Sequence, residues 1–215
     1  MDRRKALKNM GLAMGYTVAT PTIISIMQSC KGEPAIAWAP NFFTADEGSV
    51  LTKLVDIILP KTDTPSASEV KVDLFIDKFV NEVMEKEQQD FLRMCMGKFT
   101  DKVLADSGKE DTKDITAEDL EPVLASALKV SKEDKSANMK MLNTYKKAIA
   151  AGKEASLDDA VSRFAFADHL RSLAILGYKT SEYIGEEVLA YLPVPGEYIG
   201  CADTQELTGG KAWSL

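Results

Sequence analysis

The chain has 215 residues, 45% apolar and 27% charged, which is enough for one domain with a hydrophobic core. Its formal net charge is −7, and the first 29 residues hold four basic side chains against one acid, so the remainder is more acidic still. An acidic surface repels phosphate backbones, which excludes nucleic acid as a natural partner, and nothing after residue 30 is apolar for the ~20 residues a membrane span needs.

The first element is Met1-Asp2-Arg3-Arg4-Lys5-Ala6-Leu7-Lys8. It has the form of a twin-arginine export signal, in which an arginine pair precedes a bulky apolar position, a leucine and often a lysine. Arg3, Arg4, Leu7 and Lys8 fill that pattern, with Ala6 where phenylalanine is usual. An uncharged, mildly apolar stretch runs from Met10 to Met27 and closes on Ser29-Cys30. A small residue before cysteine after such a run resembles a lipobox, which makes Cys30 the expected lipid-bearing residue and the N-terminus after cleavage. The expected location is the periplasm, with a lipid anchor to a membrane. The competing reading is an N-terminal amphipathic helix with a chance arginine pair. The twin-arginine translocase moves proteins already folded, often with a cofactor installed or a partner attached. The rest of the chain shows no cofactor motif, so the signal points towards a partner.

The expected division is an export signal over 1–29, a tether over 30–43, an all-α domain over 44–203 and a polar tail over 204–215. Thr44 with Glu47 forms a capping box, and Val50, Leu51, Leu54, Val55, Ile57 and Ile58 recur at helical spacing until Pro60 stops the helix. Lys61 to Glu69 is a loop of Thr, Asp, Pro and Ser. A second helix is predicted from Val72 or Asp73, with Ile76, Phe79, Val80, Val83 and Met84 buried. The period resumes with Phe91, Leu92, Cys95, Met96, Phe99 and Val103, followed by a polar linker over 106–115. Thr116 caps a helix carrying Leu120, Val123, Leu124 and Leu128. Ser131 to Ala151 is a charged helix with a thin stripe of Met139, Leu142, Tyr145 and Ile149. Ser156 is expected to cap the long apolar helix that ends at Gly177, and a last helix is predicted over Thr180 to Leu192. The tail after Cys201 is expected to lie extended over a surface. With no sustained period-two alternation, the fold class is all-α: a single bundle of about six helices after the signal segment.

Catalytic and metal-binding patterns are sparse. One histidine, His169, cannot build a His-rich metal site, and the sequence has no phosphate-binding glycine loop or nucleophile elbow. In Met94-Cys95-Met96 successive helical side chains point ~100° apart, so the three sulfurs do not converge on a copper ion. With Cys30 lipidated, three arrangements are open to Cys95 and Cys201: free thiols, one buried and one exposed; a bond between them; or a bond from Cys201 to another chain. No catalytic residue, metal ligand or cofactor is assigned to this chain.

Two stretches resemble a known family. The first is Asp56-Ile57-Ile58-Leu59-Pro60-Lys61-Thr62-Asp63-Thr64-Pro65-Ser66-Ala67, followed by Val72, Phe75 and Ile76-Asp77. The second is Gly177-Tyr178-Lys179-Thr180-Ser181-Glu182-Tyr183-Ile184-Gly185, then Tyr191 and Pro193-Val194-Pro195-Gly196-Glu197-Tyr198-Ile199-Gly200-Cys201. In this order they are similar to the conserved ends of the gluconate 2-dehydrogenase subunit 3 family. Ser66 replaces a usual glycine and Lys179 a usual phenylalanine, and the middle of the chain carries no such motif. The resemblance implies a small, non-catalytic accessory subunit. Its partner would be a large flavoprotein of the glucose–methanol–choline oxidoreductase type, which holds FAD and oxidises a sugar, sugar acid or polyol. Such a partner often lacks its own signal, so the small subunit would help it mature and carry it out, and electrons would pass onward to a cytochrome or quinone without crossing this chain. Partner-binding candidates are Asp63, Thr64, Pro65, Tyr178, Tyr183, Pro195, Tyr198 and Cys201, since tyrosines on proline-stiffened loops suit an interface. Their alternative role is to close the bundle's own core. A free-standing envelope lipoprotein acting as a binding or scaffold module is the rival function, and an enzyme in its own right is a third.

Overall fold

In the computed structural model, residues 38–192, 196 and 201–214 are described. Among them, six helices of eleven residues or more make up the bundle: α1 (Ala45–Ile58), α2 (Val72–Glu82), α3 (Lys86–Ser107), α4 (Ala117–Leu128), α5 (Lys132–Ala150) and α6 (Asp159–Lys179). The described residues contain no β-strand, only one isolated bridge, so the all-α expectation holds. The compact unit begins at Trp38. The twin-arginine pattern Arg3, Arg4, Leu7 and Lys8, the lipid residue Cys30, and Pro195 and Tyr198 lie outside the described residues.

Local chemistry explains most helix boundaries. The Thr44 hydroxyl accepts from the Glu47 amide at 3.2 Å while the Glu47 carboxylate accepts from the Thr44 amide at 2.8 Å, the reciprocal box that starts α1. A second box at Thr116 and Asp119 starts α4. Helix α3 ends at Gly108, whose φ of 69° is a left-handed cap that glycine adopts without steric cost. A single 3₁₀ turn, Thr112–Asp114, interrupts the polar linker after it. Helix α6 is capped by Asp158, not Ser156, its carboxylate accepting from the amides of Ala160 and Val161. Asp158 adds a charge favourable to the helix dipole, which a hydroxyl lacks.

Helix α6 is the centre of the bundle. It touches each of α1 to α5 and buries Val161, Phe164, Phe166, Leu170 and Leu173 among others. Each such side chain contributes roughly 1.5–3 kcal/mol when fully buried. Phe99 of α3 meets Phe166 with ring centroids 5.1 Å apart, joining the two longest helices at the core. Helix α5 is the exception, with Leu142 its one buried residue.

Beyond α6 the chain departs from expectation. The predicted helix over Thr180 to Leu192 is a short π-helical turn, Ile184–Val188. The Ala190 amide donates to the Ala212 carbonyl at 2.9 Å and the Ser214 amide donates to the Ala190 carbonyl at 2.9 Å, so the returning tail claims backbone groups that a longer helix would have used. The tail is not wholly extended either. It contains a one-turn helix, α7 (Thr204–Thr208), capped by Asp203.

Candidate functional site

The Lys61–Glu69 loop connects α1 to α2 and is held from several sides. Asp56, on the last turn of α1, accepts from the Ser68 amide at 2.8 Å and the Ser68 hydroxyl at 2.6 Å. Glu69 accepts from the Ser66 amide at 2.8 Å and pairs with Lys61 at 2.6 Å, and these contacts hold its carboxyl below the usual carboxylate range. Lys71 takes a left-handed conformation, φ 62°, as the chain turns into α2.

The end of α6 closes on this loop. The Tyr178 hydroxyl lies 2.9 Å from Thr64 Oγ1 and 2.8 Å from the Pro65 carbonyl, a contact that spans 114 residues of sequence. One residue earlier, Gly177 lets α6 approach α2: a Cβ there would sit 2.5 Å from Phe75 Cδ1. The two motif-bearing stretches are therefore one structural unit, locked by Tyr178 and the Gly177–Phe75 approach.

The candidate residues divide between the inside and outside of this unit. Tyr178, Thr64 and Pro65 are half-buried, and the Tyr178 hydroxyl is engaged within the chain. Asp63 is exposed at the loop tip. Tyr183 is half exposed, and Cys201 is exposed. Cys95 is buried and not bonded to the exposed Cys201, so within this chain the arrangement is the expected one of a buried and an exposed thiol, and no intrachain disulfide forms between them. Burial pushes the Cys95 thiol up to about 12, which keeps it protonated and unreactive.

Sequence reasoning picked out Tyr191 but missed Leu192 and Trp213. All three are about half exposed, and the bridge between Ala190 and Trp213 places Trp213 beside the Tyr191-Leu192 segment. Leu176 and Tyr183 add apolar surface where the chain leaves α6. A tryptophan in an otherwise polar tail was the available signal for Trp213. Large apolar side chains grouped at one end mark an interaction surface, whereas single scattered ones do not.

The segment before α1 is fixed by two buried carboxylates of α2. Asp77, 1% exposed, accepts from the successive amides of Asn41, Phe42 and Phe43 at 2.7, 3.0 and 3.1 Å. Asp73 accepts from the Trp38 indole at 3.1 Å and the Thr52 hydroxyl at 2.8 Å. The domain thus grips the chain from Trp38 to Phe43 with side chains of α2, within the stretch expected to be tether.

Among the described residues no group of three His, Cys, Asp or Glu is placed to hold a metal ion. His169 lies at the middle of α6 with its outer edge exposed, and the desolvation of its ring against the neighbouring helices, with the Lys146 charge, lowers its basicity below the ordinary value.

No match to this chain is found among the curated proteins or the solved structures. The family described as gluconate 2-dehydrogenase subunit 3 matches residues 45–196, a stretch that runs from the first residue of α1 past the exposed Tyr191-Leu192 segment. That span includes the Asp56–Ala67 loop, the Phe75–Asp77 turn of α2 and the Gly177–Tyr178 closure, and so the chain belongs to the gluconate 2-dehydrogenase subunit 3 family.

Proposed function

We propose that this chain is the non-catalytic small subunit that binds, helps mature and co-exports a large FAD-dependent dehydrogenase acting on a sugar, sugar acid or polyol. Membership of the family makes it an accessory dehydrogenase subunit. The observation that carries the reading is the joining of the family's two motif stretches through Tyr178, Thr64 and Pro65. That lock fixes the end of α6, and the chain that follows it carries the exposed Tyr183 and Tyr191, with Trp213 of the tail bridged to Ala190 beside them. Rigid aromatic side chains cost little conformational entropy on docking and commonly supply most of an interface's energy.

The export half of the proposal rests on Arg3, Arg4, Leu7 and Lys8, the twin-arginine pattern, and on Cys30 as the lipid anchor in the periplasm. FAD belongs to the partner, and electrons leave the partner for a cytochrome or quinone. Affinity purification of the tagged chain from its own cells tests the reading. The expected result is a stoichiometric large subunit with the absorbance of bound flavin. Recovery of this chain alone, under mild lysis and from cells that make the dehydrogenase, would refute it.

A further inference from the structure

A groove of about 890 Å³ opens between the C-terminal end of α2, the first half of α3, the inner face of α5 and α6. That volume falls in the range of small-molecule sites. It exists because α5 stands off from the bundle, burying Leu142 alone. The lining is largely apolar, built by Phe79, Phe91, Met94, Leu142 and Phe164. At its edges Val83, Met139 and Ile149 are 64%, 43% and 40% exposed, so the apolar surface continues to the mouth.

The charges around this groove differ from those of the chain as a whole. Of its carboxylates, Asp168 is paired with Lys135 and Arg171, both at 3.1 Å, and Asp90 with Lys86 at 2.8 Å. Glu87 is the third. Lys146 lines the groove with its ammonium 5.5 Å from the centroid of the Phe91 ring, and no carboxylate among the described residues pairs with it. Its charge also reaches Cys95 and His169, two of the titratable groups that line the groove. Counting the pairing partners, four cations stand against three carboxylates in a protein of net charge −7. Beside Lys146, the Tyr145 hydroxyl has one contact, Met94 Sδ at 3.8 Å, a weak acceptor that leaves the phenol able to bind something better.

We propose that the groove binds a single-chain anionic amphiphile, of the class of a long-chain fatty acid. The chain lies along Phe79, Phe91, Met94 and Phe164. The carboxylate takes a charge-assisted hydrogen bond from Lys146 Nζ and a second from the Tyr145 hydroxyl. A helix from a protein partner fits less well: at ~10 Å across, a helix filling this volume runs only about two turns, too short to be stable by itself. A thin flexible chain has no such constraint, and the methionines at the wall adapt to its path.

Titration of the purified full-length chain with palmitate, against hexadecyltrimethylammonium as the probe of opposite charge, tests this. Palmitate should bind at one equivalent and more tightly than the cationic amphiphile. Lys146→Glu should weaken palmitate by about tenfold, the effect of losing one charge-assisted hydrogen bond, and leave the cation's binding equal or stronger. Met139→Glu, at the exposed mouth, should weaken both. Both substitutions are at exposed positions, and an unchanged melting temperature shows that the fold is kept. Equal affinity for the two head groups with no effect of Lys146→Glu would overturn the proposal as detergent-like adsorption. Absence of palmitate binding, with Lys146 instead shielded from acetylation by a protein partner, would overturn it in favour of a protein interface.

Discussion

Tyr178 carries the contact on which the family's two motif stretches depend, and its value can be measured. Tyr178→Phe keeps the ring and deletes the hydroxyl that meets Thr64 Oγ1 and the Pro65 carbonyl. The expected cost is about 1–2 kcal/mol in urea unfolding, because a half-buried pair of neutral hydrogen bonds is lost while water can reach part of the site. Asp77→Ala should cost more, about 3 kcal/mol, since it orphans three successive amides against a carboxylate that is 1% exposed. It should also expose the chain from Trp38 to Phe43 to proteases, whereas Tyr178→Phe should leave that segment protected. His169 gives a pH prediction at the same scale. Desolvation, the largest cause, and the nearby Lys146 charge lower its folded pKa below the ordinary 6.5, with Asp168 opposing them. The unfolded chain then binds the proton first, so the contribution of His169 to stability is level above pH 6.5 and declines as the pH falls through 6.5 towards the folded value. His169→Gln should flatten that part of the stability curve, read from melting temperatures between pH 7.5 and 5.

Helix α6 meets α2 closely enough that one methyl group is felt. Gly177→Ala would place a Cβ 2.5 Å from Phe75 Cδ1, and the ring must move for α6 to keep its place. Overpacking of this kind costs about 1–3 kcal/mol, and Phe75→Leu in the same chain should recover part of it, a double-mutant cycle measured by chemical unfolding. The elements themselves were largely legible in the residue pattern. The boxes at Thr44 and Thr116 and the stripe Leu92, Cys95, Met96, Phe99 and Val103 follow from local rules, and each appears where those rules put it. Two boundaries were not legible. Both Ser156 and Asp158 are acceptable caps on pattern alone, and it is the Asp158 carboxylate that accepts from the amides of Ala160 and Val161. The segment after Thr180 has helical periodicity, yet its backbone at Ala190 pairs with Ala212 and Ser214 of the returning tail. Tertiary pairing of that kind overrides propensity and leaves no local trace. The candidate surface follows the same division. Tyr178 and Thr64 stood out through the family resemblance, but their contact spans 114 residues, and the exposure of Leu192 and Trp213 arises only when the tail folds back.

At the scale of the whole molecule, the proposed function separates into two parts that different residues carry. If the chain takes a folded dehydrogenase through the twin-arginine translocase, the arginine pair addresses the complex and the aromatic surface holds its cargo. Replacing Arg3-Arg4 by Lys-Lys should then strand both proteins in the cytoplasm, with the complex still intact on affinity purification. Replacing Tyr183 and Tyr191 by alanine should do the opposite: the small chain is exported, while the flavoprotein stays behind. Each tyrosine, half exposed and free of any core role in the bundle, is expected to contribute about 1–2 kcal/mol to docking, so the double variant should weaken the complex by a hundredfold or so. Cell fractionation with immunoblots of both subunits reads the two outcomes. The pair of variants matters because either alone is ambiguous. A failed signal and a failed interface both leave the dehydrogenase inside, and only the position of the small chain tells them apart. Export of the flavoprotein in the Lys-Lys variant would assign its transport to another carrier, and its export with the tyrosine variant would move the interface away from the end of α6.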